Sequence, residues 1–169
     1  MFILFVWYQY FIAWMFGLCL VTSANSCSTL NSSLRSYKLF KNSFSLEPYL
    51  LCVNIDKHRN ALSRFRCSSH LLEIEKARHQ AKIPPIWNRL CPHCKYAVDD
   101  ELHLLLFCKQ NKLLRKKFLS SIEHHLPNIA AMHHIDRFIQ IMSSSNKFVL
   151  RELAKYIYDS FEIRKNVAV

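Results

Sequence analysis

The chain has 169 residues, of which 51% are hydrophobic, and it carries 23 Lys/Arg against 12 Asp/Glu, for a formal net charge of +11. This length holds one domain, or one domain with a terminal appendage. With Gly17 as the only glycine and five prolines, the composition argues against an all-β sandwich or barrel, which needs many tight turns. Glycine-rich phosphate-binding loops are excluded. We therefore expect a mainly α protein.

The middle of the chain is strongly basic. Between Lys57 and Lys117 there are 14 Lys/Arg against five Asp/Glu. Such an excess favours a polyanionic partner, because basic side chains release counterions from phosphate groups when they bind. A solvated basic surface without a specific partner explains the same composition equally well.

Residues 1–21 are almost wholly apolar, with Gln9 as the one clearly polar interruption. They are typical of a membrane-spanning helix or of the hydrophobic part of a signal peptide. A third interpretation is a leader without a selected role. Because basic residues follow this run and none precedes it, an inserted segment would keep the basic domain in the cytoplasm. Without insertion, we expect a cytoplasmic or nuclear protein.

Residues 22–46 are rich in serine and asparagine, which is typical of a linker. The chain is thus predicted to contain the apolar segment 1–21, this linker, and a small basic helical domain at 47–165. The helical pattern begins at Pro48, and apolar residues then recur at roughly helical spacing. The apolar positions of this first pattern are Leu51, Ile55 and Leu62.

A second amphipathic helix is predicted after Ser68-Ser69, which offers an N-cap. Pro84-Pro85 ends it. Its inward positions are Leu71, Leu72 and Ile74, and its outward positions are Glu73, Lys76 and Arg78.

Three cysteines and one histidine follow at metal-ligand spacing, Cys91-x2-Cys94-x8-His103-x4-Cys108. Two cysteines separated by two residues let one tight turn present both sulfur atoms to one tetrahedral ion, and the second pair completes the set. A Cys3His set leaves no position for a catalytic water, so we expect one structural zinc ion at this knuckle. Three of the seven cysteines at such positions favour a reducing compartment over a disulfide framework.

Other interpretations of these residues remain open. One is that the four residues lie together in the sequence by chance. Another is that His93 replaces one of them as a ligand. Histidine pairs at 124–125 and 133–134 are candidates for a second metal site. Adjacent histidines point in different directions on a helix, which favours surface positions for both pairs.

Two further helices are predicted after the knuckle. Asp99, Asp100 and Glu101 place three carboxylates where a helix N-terminus favours negative charge. The apolar positions of that helix are Leu102, Leu105, Leu106, Leu113 and Leu114. The last helix runs from about residue 146 to 164, with Phe148, Leu153, Ile157 and Phe161 on or near one stripe.

Sequence blocks before and after the knuckle follow a specific order. The blocks are Ser63-Arg64-Phe65-Arg66, Ser69 to Glu75 leading into Arg78, Lys82-Ile83-Pro84, Arg89 to Cys94, and Asp99 to His103 with Cys108. Their order and spacing resemble the C-terminal zinc-binding region of reverse transcriptases from non-LTR (LINE-type) retrotransposons of animals. The resemblance runs from about Glu47 to the end of the chain, and it does not cover residues 1–40.

The resemblance implies a role in nucleic-acid binding, because in that family this region follows the polymerase and is thought to help hold element RNA and target DNA. It implies that Cys91, Cys94, His103 and Cys108 are the metal ligands. The implied nucleic-acid contacts are Arg64, Arg66, Arg78 and Arg89. The family usually has a glycine where this chain has Ala77. The endonuclease and polymerase domains are absent from this chain, so no catalytic activity comes with the resemblance.

The expected function is therefore that of a non-catalytic, zinc-stabilised module that binds RNA or DNA without sequence specificity and has no small-molecule substrate. It is expected to be a fragment of a retrotransposon polyprotein. The basic surface continues past the knuckle through Lys112, Arg115, Lys116 and Lys117. The alternative is a membrane-anchored or secreted small protein that uses its cysteines structurally. A relic without selected function is the third interpretation.

Overall fold

The computed structural model describes residues 34–41, 43 and 45–166. The apolar segment 1–21 and the first part of the predicted linker lie outside the described residues. Within the described residues the structure is helical, with one isolated antiparallel bridge between Leu90 and Val98 and no β-strand. The prediction of a mainly α fold is confirmed. Among these residues, no helix combines the length and the apolar character needed to cross a bilayer.

Seven α-helices are numbered here in the order in which they occur in the described residues. They are α1 (Tyr37–Phe40), α2 (Pro48–Cys52), α3 (Asp56–Arg66), α4 (Glu73–Lys76), α5 (Lys112–Ile122), α6 (His134–Met142) and α7 (Lys147–Asn166). Between them lie short 3-10 turns at Ala77–His79, Ile86–Asn88 and Lys109–Asn111, and one π-helical turn at His103–Phe107. Helix α1 forms inside the segment that was predicted as linker.

Helix α7 lies at the centre of the fold and packs against α2, α3 and α5. Its inner face is fully buried at Leu153, Ala154 and Ile157. The ring of Tyr156 stacks on Phe118 of α5, with 4.8 Å between the ring centroids. This apolar packing is the main source of stability in the helical part, because each large side chain removed from water contributes about 1.5–3 kcal/mol.

Ser68 and Ser69 end helix α3, and the prediction that they begin the next helix is wrong. The Ser69 amide donates to the Arg64 carbonyl (2.8 Å), and the Ser68 amide donates to the Phe65 carbonyl (3.4 Å). Ser68 has a φ of 53°. These two bonds and the left-handed residue form a Schellman motif, which normally uses glycine. The Ser68 hydroxyl has a second role, because it donates to the buried Glu101 carboxylate (3.3 Å).

The first predicted helix is divided by an extended segment into α2 and α3, which leaves Leu51 and Ile55 exposed. Leu71, which was predicted to face inward, and Leu113, one of the apolar positions of the helix predicted after the knuckle, are also exposed. The spacing of apolar residues did not show where each helix breaks, and a break rotates every later residue relative to the core. The last helix is confirmed, since α7 begins and ends within two residues of its predicted bounds.

Candidate metal centre

The first two candidate ligands lie in a hairpin formed by residues Arg89–Asp99. The Cys91 amide donates to the Ala97 carbonyl (2.9 Å), and the Lys95 amide donates back to the Cys91 carbonyl (2.8 Å). The Asp99 amide donates a further hydrogen bond to the Arg89 carbonyl (2.8 Å), which joins the two ends of the hairpin. Lys95 has a φ of 52°, in the region that favours glycine. The resulting turn presents the sulfur atoms of Cys91 and Cys94 to one side.

The other two candidate ligands lie at the two ends of the π-helical turn. In an α-helix of about 3.6 residues per turn, side chains five positions apart point roughly 140° away from each other. Here the Cys108 amide bonds to the His103 carbonyl (2.7 Å), which is the five-residue bond of a π turn and is frequent at functional sites. Asp100 caps the turn, because its Oδ1 accepts a hydrogen bond from the His103 amide (2.7 Å). The wider turn brings His103 and Cys108 to the same face.

Cys91, Cys94, His103 and Cys108 converge, and their ligand atoms all lie within 4.8 Å of one another. The Cys91 and Cys108 Sγ atoms are 4.0 Å apart, and Cys94 Sγ is 3.3 Å from His103 Nε2. Tetrahedral zinc with Zn–S bonds of about 2.3 Å would place two sulfur atoms roughly 3.8 Å apart. These four residues are therefore close enough to hold one metal ion, and the donor set and spacing fit it.

His93 is not part of this cluster, although it lies between the two cysteines of the turn. The histidine pairs at 124–125 and 133–134 also form no second group of metal ligands within the part of the chain that the structure describes. His125 packs on the ring of Phe148 (4.7 Å between centroids), and His134 packs on Phe107 (5.4 Å). In this structure, the four-residue cluster is thus the same set that the sequence predicted.

The thiols of the cluster are electrostatically unlike ordinary surface thiols. A hydrogen bond from the Cys108 thiol lowers the pKa of Cys91, even though burial opposes this shift. The same contact, together with burial, raises the pKa of Cys108. His103 presents Nε2 to Cys94, while its Nδ1 is buried without a hydrogen-bond partner. Metals bind the thiolate form of cysteine, so the lowered pKa of Cys91 favours its role as a ligand.

Asp99 connects the hairpin to two other elements, and its side chain is fully buried. Its Oδ2 accepts a hydrogen bond from the Glu73 amide (3.0 Å), which caps helix α4. Both of its carboxylate oxygens also accept hydrogen bonds from Arg164 of α7, at 2.7 and 2.6 Å. The three acidic residues were predicted to cap one helix, but Asp99 and Asp100 cap different ones. The role of Arg164 has no local signal in the sequence, because 65 residues separate it from Asp99.

Glu101 forms a second buried charge network beside the centre. Its carboxylate accepts a hydrogen bond from His70 Nε2 (2.9 Å) and forms an ion pair with Arg35. Burial alone would raise the pKa of Glu101, but the hydrogen bond and charge of His70 and the charge of Arg35 lower it to about 2. The carboxylate therefore stays ionised at neutral pH and joins the segments before and after α4. The sequence gives no local signal for this network either.

Two of the predicted nucleic-acid contacts are buried, and for them the prediction is wrong. Arg66 donates to the Met142 carbonyl (2.6 Å) and to the Glu47 carboxylate (2.8 Å). Arg89 donates to the carbonyls of Pro84 (3.0 Å) and Ile74 (3.0 Å). Both side chains join distant segments of the fold, because a guanidinium group offers five donors and can satisfy several carbonyl groups at once. Neither is accessible to a polyanion.

The other predicted contacts are at least partly accessible. Arg64 is exposed, and Arg78 is half-buried in an ion pair with Glu75 (2.6 Å). Arg115 is half-buried and donates to the carbonyl of the ligand Cys108 (2.9 Å). The structure adds Lys109, whose ammonium lies 4.9 Å from the ring of the exposed Tyr96. We define the α5 basic surface as the exposed residues Lys109, Lys112, Lys116 and Lys117.

Comparison of the chain with protein-family models, with curated proteins and with solved structures finds no match. The fold class and the convergence of the four ligands therefore rest on the sequence and the structure alone.

Proposed function

We propose that this chain is a non-catalytic, zinc-stabilised module that binds the phosphate backbone of RNA or DNA, and that it derives from a non-LTR retrotransposon reverse transcriptase. The observation that carries the proposal is the convergence of Cys91, Cys94, His103 and Cys108 on one point, directly beside the α5 basic surface.

Zinc is the ion that suits this donor set best. Thiolate and imidazole ligands favour zinc over magnesium, calcium or manganese, which prefer oxygen ligands. Three cysteines and one histidine fill a tetrahedral coordination sphere, so no position remains for a catalytic water. Cys91 and Cys108 are also fully buried, which keeps substrates away from that side of the ion. The ion therefore acts as a structural cross-link between the hairpin and the π turn.

The α5 basic surface is not neutralised by neighbouring acidic groups in its own segment. Residues 102–122 contain five Lys/Arg and no Asp or Glu. Exposed Glu123 directly follows this segment, and Asp100, which precedes it, is half-buried and caps the π turn. The other two nearby acidic residues, Asp99 and Glu101, are buried in pairs with Arg164 and with His70 and Arg35. Their charges are neutralised inside the protein, so the exposed lysines present an excess of positive charge. Such a surface attracts phosphate groups and gives binding that weakens steeply with salt.

Tyr96 adds an aromatic ring beside these lysines. It is 78% exposed and in contact with Lys109, so its free face is available to a base. Aromatic rings among basic groups are typical of surfaces that bind single-stranded nucleic acid. The similarity of the blocks around the knuckle to retrotransposon reverse transcriptases supports the same conclusion.

Fluorescence anisotropy with labelled single-stranded RNA and duplex DNA tests this function. The zinc-loaded full-length chain, kept in a mild non-ionic detergent, should bind both probes and lose affinity linearly on a log–log plot against salt. The double substitution Lys112→Gln/Lys116→Gln should reduce the magnitude of that slope on duplex DNA by about two, because each phosphate group that a lysine neutralises adds roughly 0.9 to it.

The control is the double substitution Lys57→Gln/Lys147→Gln, which removes the same charge from α3 and from the end of α7 opposite Arg164. It should leave the slope within about half a unit of the unmodified chain, because the slope reports the phosphate groups neutralised at the binding surface and not the net charge of the protein. Equal affinity at low and high salt, or equal reductions of the slope in the two double variants, would contradict a binding surface on α5.

A further inference from the structure

Arg164 lies in the last turns of α7, 56 residues after Cys108, the last of the four candidate ligands in the sequence. Its side chain nevertheless reaches the candidate metal centre. Its side chain is only 8% exposed. One terminal nitrogen, Nη2, bridges both carboxylate oxygens of Asp99 (2.7 and 2.6 Å). The other, Nη1, lies 3.8 Å from Cys91 Sγ, within hydrogen-bonding distance for a sulfur acceptor. A single planar group therefore contacts a ligand atom and a carboxylate at the same time.

The charge of the loaded centre explains why a guanidinium is placed here. Three thiolates, one neutral imidazole and one divalent ion carry a single net negative charge. Cys91 and Cys108 are both fully buried, and burying an uncompensated charge is costly. Arg164 supplies a positive charge and an N–H donor at Cys91, where water cannot reach.

Asp99 has the complementary role of holding the guanidinium in place. It is the partner of Nη2, which leaves Nη1 directed at the sulfur atom. Asp99 also caps α4 through the Glu73 amide and lies at the end of the Arg89–Asp99 hairpin. The hairpin, α4 and α7 therefore meet at one buried ion pair.

We propose that Arg164 is a positioning residue of the metal centre: its Nη1–H donates to the Cys91 thiolate and couples metal binding to the docking of the C-terminal end of α7. The proposal rests on the proposed metal-binding function. By this coupling, metal binding orders the end of α7, and α7 in turn strengthens metal binding.

Zinc affinity of the full-length chain, measured by competition with a chromophoric chelator, tests the proposal. Arg164→Gln should weaken zinc binding about 10- to 100-fold, which is the usual effect of removing a hydrogen-bond partner of a ligand. Arg164→Lys should fall between this variant and the unmodified chain, since lysine keeps the charge but cannot bridge Asp99 and Cys91 in one plane.

The matched control is Arg66→Gln, because Arg66 is equally buried and paired with a carboxylate but contacts none of the four ligands. It should lower the melting temperature while changing zinc affinity less than about threefold. Zinc affinity of Arg164→Gln within threefold of the unmodified chain, or an equal weakening in Arg66→Gln, would overturn the role of Arg164.

A spectroscopic readout separates this role from general destabilisation. With Co²⁺ in place of zinc, replacing the guanidinium donor by a lysine ammonium that cannot contact Asp99 and Cys91 in one plane should shift the sulfur-to-cobalt charge-transfer band in Arg164→Lys, whereas the band should not shift in Arg66→Gln. An unmodified chain that binds neither ion overturns the proposed metal-binding function itself. Metal binding with an unshifted band in Arg164→Lys overturns only the inference about Arg164.

Discussion

The knuckle region (residues 70–108) and the helical region (α3 and α5 to α7) are held together by different kinds of side chain. In the knuckle region many of the buried side chains are charged or are candidate ligands, such as Glu75, Arg89, Asp99 and Glu101. In the helical region the buried side chains are mostly leucine, isoleucine and aromatic residues. The chain thus combines a small polar centre with an apolar core, and α7 contributes to both.

The two regions therefore depend on different sources of stability. Apolar burial is non-directional and tolerates small errors in position, whereas ligands and ion pairs require defined geometry. The knuckle region consists of short turns and one four-residue helix, α4, which would be marginal without cross-links. We therefore expect a metal to be essential for the first region and helpful for the second.

The largest effect is expected from removing a ligand. Cys108→Ser should lower bound zinc from one ion per chain to none, because serine replaces a strong thiolate ligand with a hydroxyl group. Structural zinc contributes on the order of 10 kcal/mol to small metal-dependent folds, so amide hydrogen exchange across residues 86–108 should accelerate strongly. Exchange in the centre of α7 should change less. Elemental analysis and hydrogen-exchange mass spectrometry measure the two quantities.

Cys67→Ser is the control for this prediction, since Cys67 is a half-buried free cysteine outside the cluster. It should retain one zinc ion per chain, and amide hydrogen exchange at the knuckle should remain as slow as in the unmodified chain. Zinc retained in Cys108→Ser, or unchanged exchange after the unmodified chain is treated with a chelator, would contradict a metal-dependent knuckle.

A smaller effect is expected from opening a cavity in the apolar core. Leu153 is fully buried in α7, and Leu153→Ala should lower the free energy of unfolding by about 2–5 kcal/mol. Leu113→Ala, at a side chain that is 76% exposed, should change it by less than about 0.5 kcal/mol. Denaturant titration of the zinc-loaded chain measures both values. A destabilisation at Leu113 as large as that at Leu153 would show that the core lies elsewhere.

The smallest effect concerns the turn between the first two ligands. Lys95 adopts a positive φ, which costs a non-glycine residue roughly 1–2 kcal/mol, and Lys95→Gly should therefore stabilise the zinc-loaded chain by about 0.5 kcal/mol after the entropy cost of glycine. Ser68 also has a positive φ, but its hydroxyl donates to Glu101, so Ser68→Gly should bring no gain. Comparing the two denaturation midpoints checks this. Destabilisation by Lys95→Gly would contradict strain at the turn.

Several features could be predicted from the sequence because their signals are local. The spacing of Cys91, Cys94, His103 and Cys108 identified the residues that converge, since a two-residue gap fits one turn whatever surrounds it. The scarcity of glycine and the stripe of α7 predicted a mainly α fold. Neither inference needed knowledge of contacts between distant residues.

Other features depend on contacts that no local sequence pattern indicates. Arg66 is buried against the Met142 carbonyl, 76 residues away, and Arg89 is buried against the carbonyls of Pro84 and Ile74. Their immediate sequence neighbours give no signal for either contact. The π turn that aligns His103 with Cys108 likewise differs from an α-helix by one hydrogen-bond step. The sequence alone therefore determined which residues meet at the centre. Long-range packing determined which basic groups, Arg164 above all, support it from within.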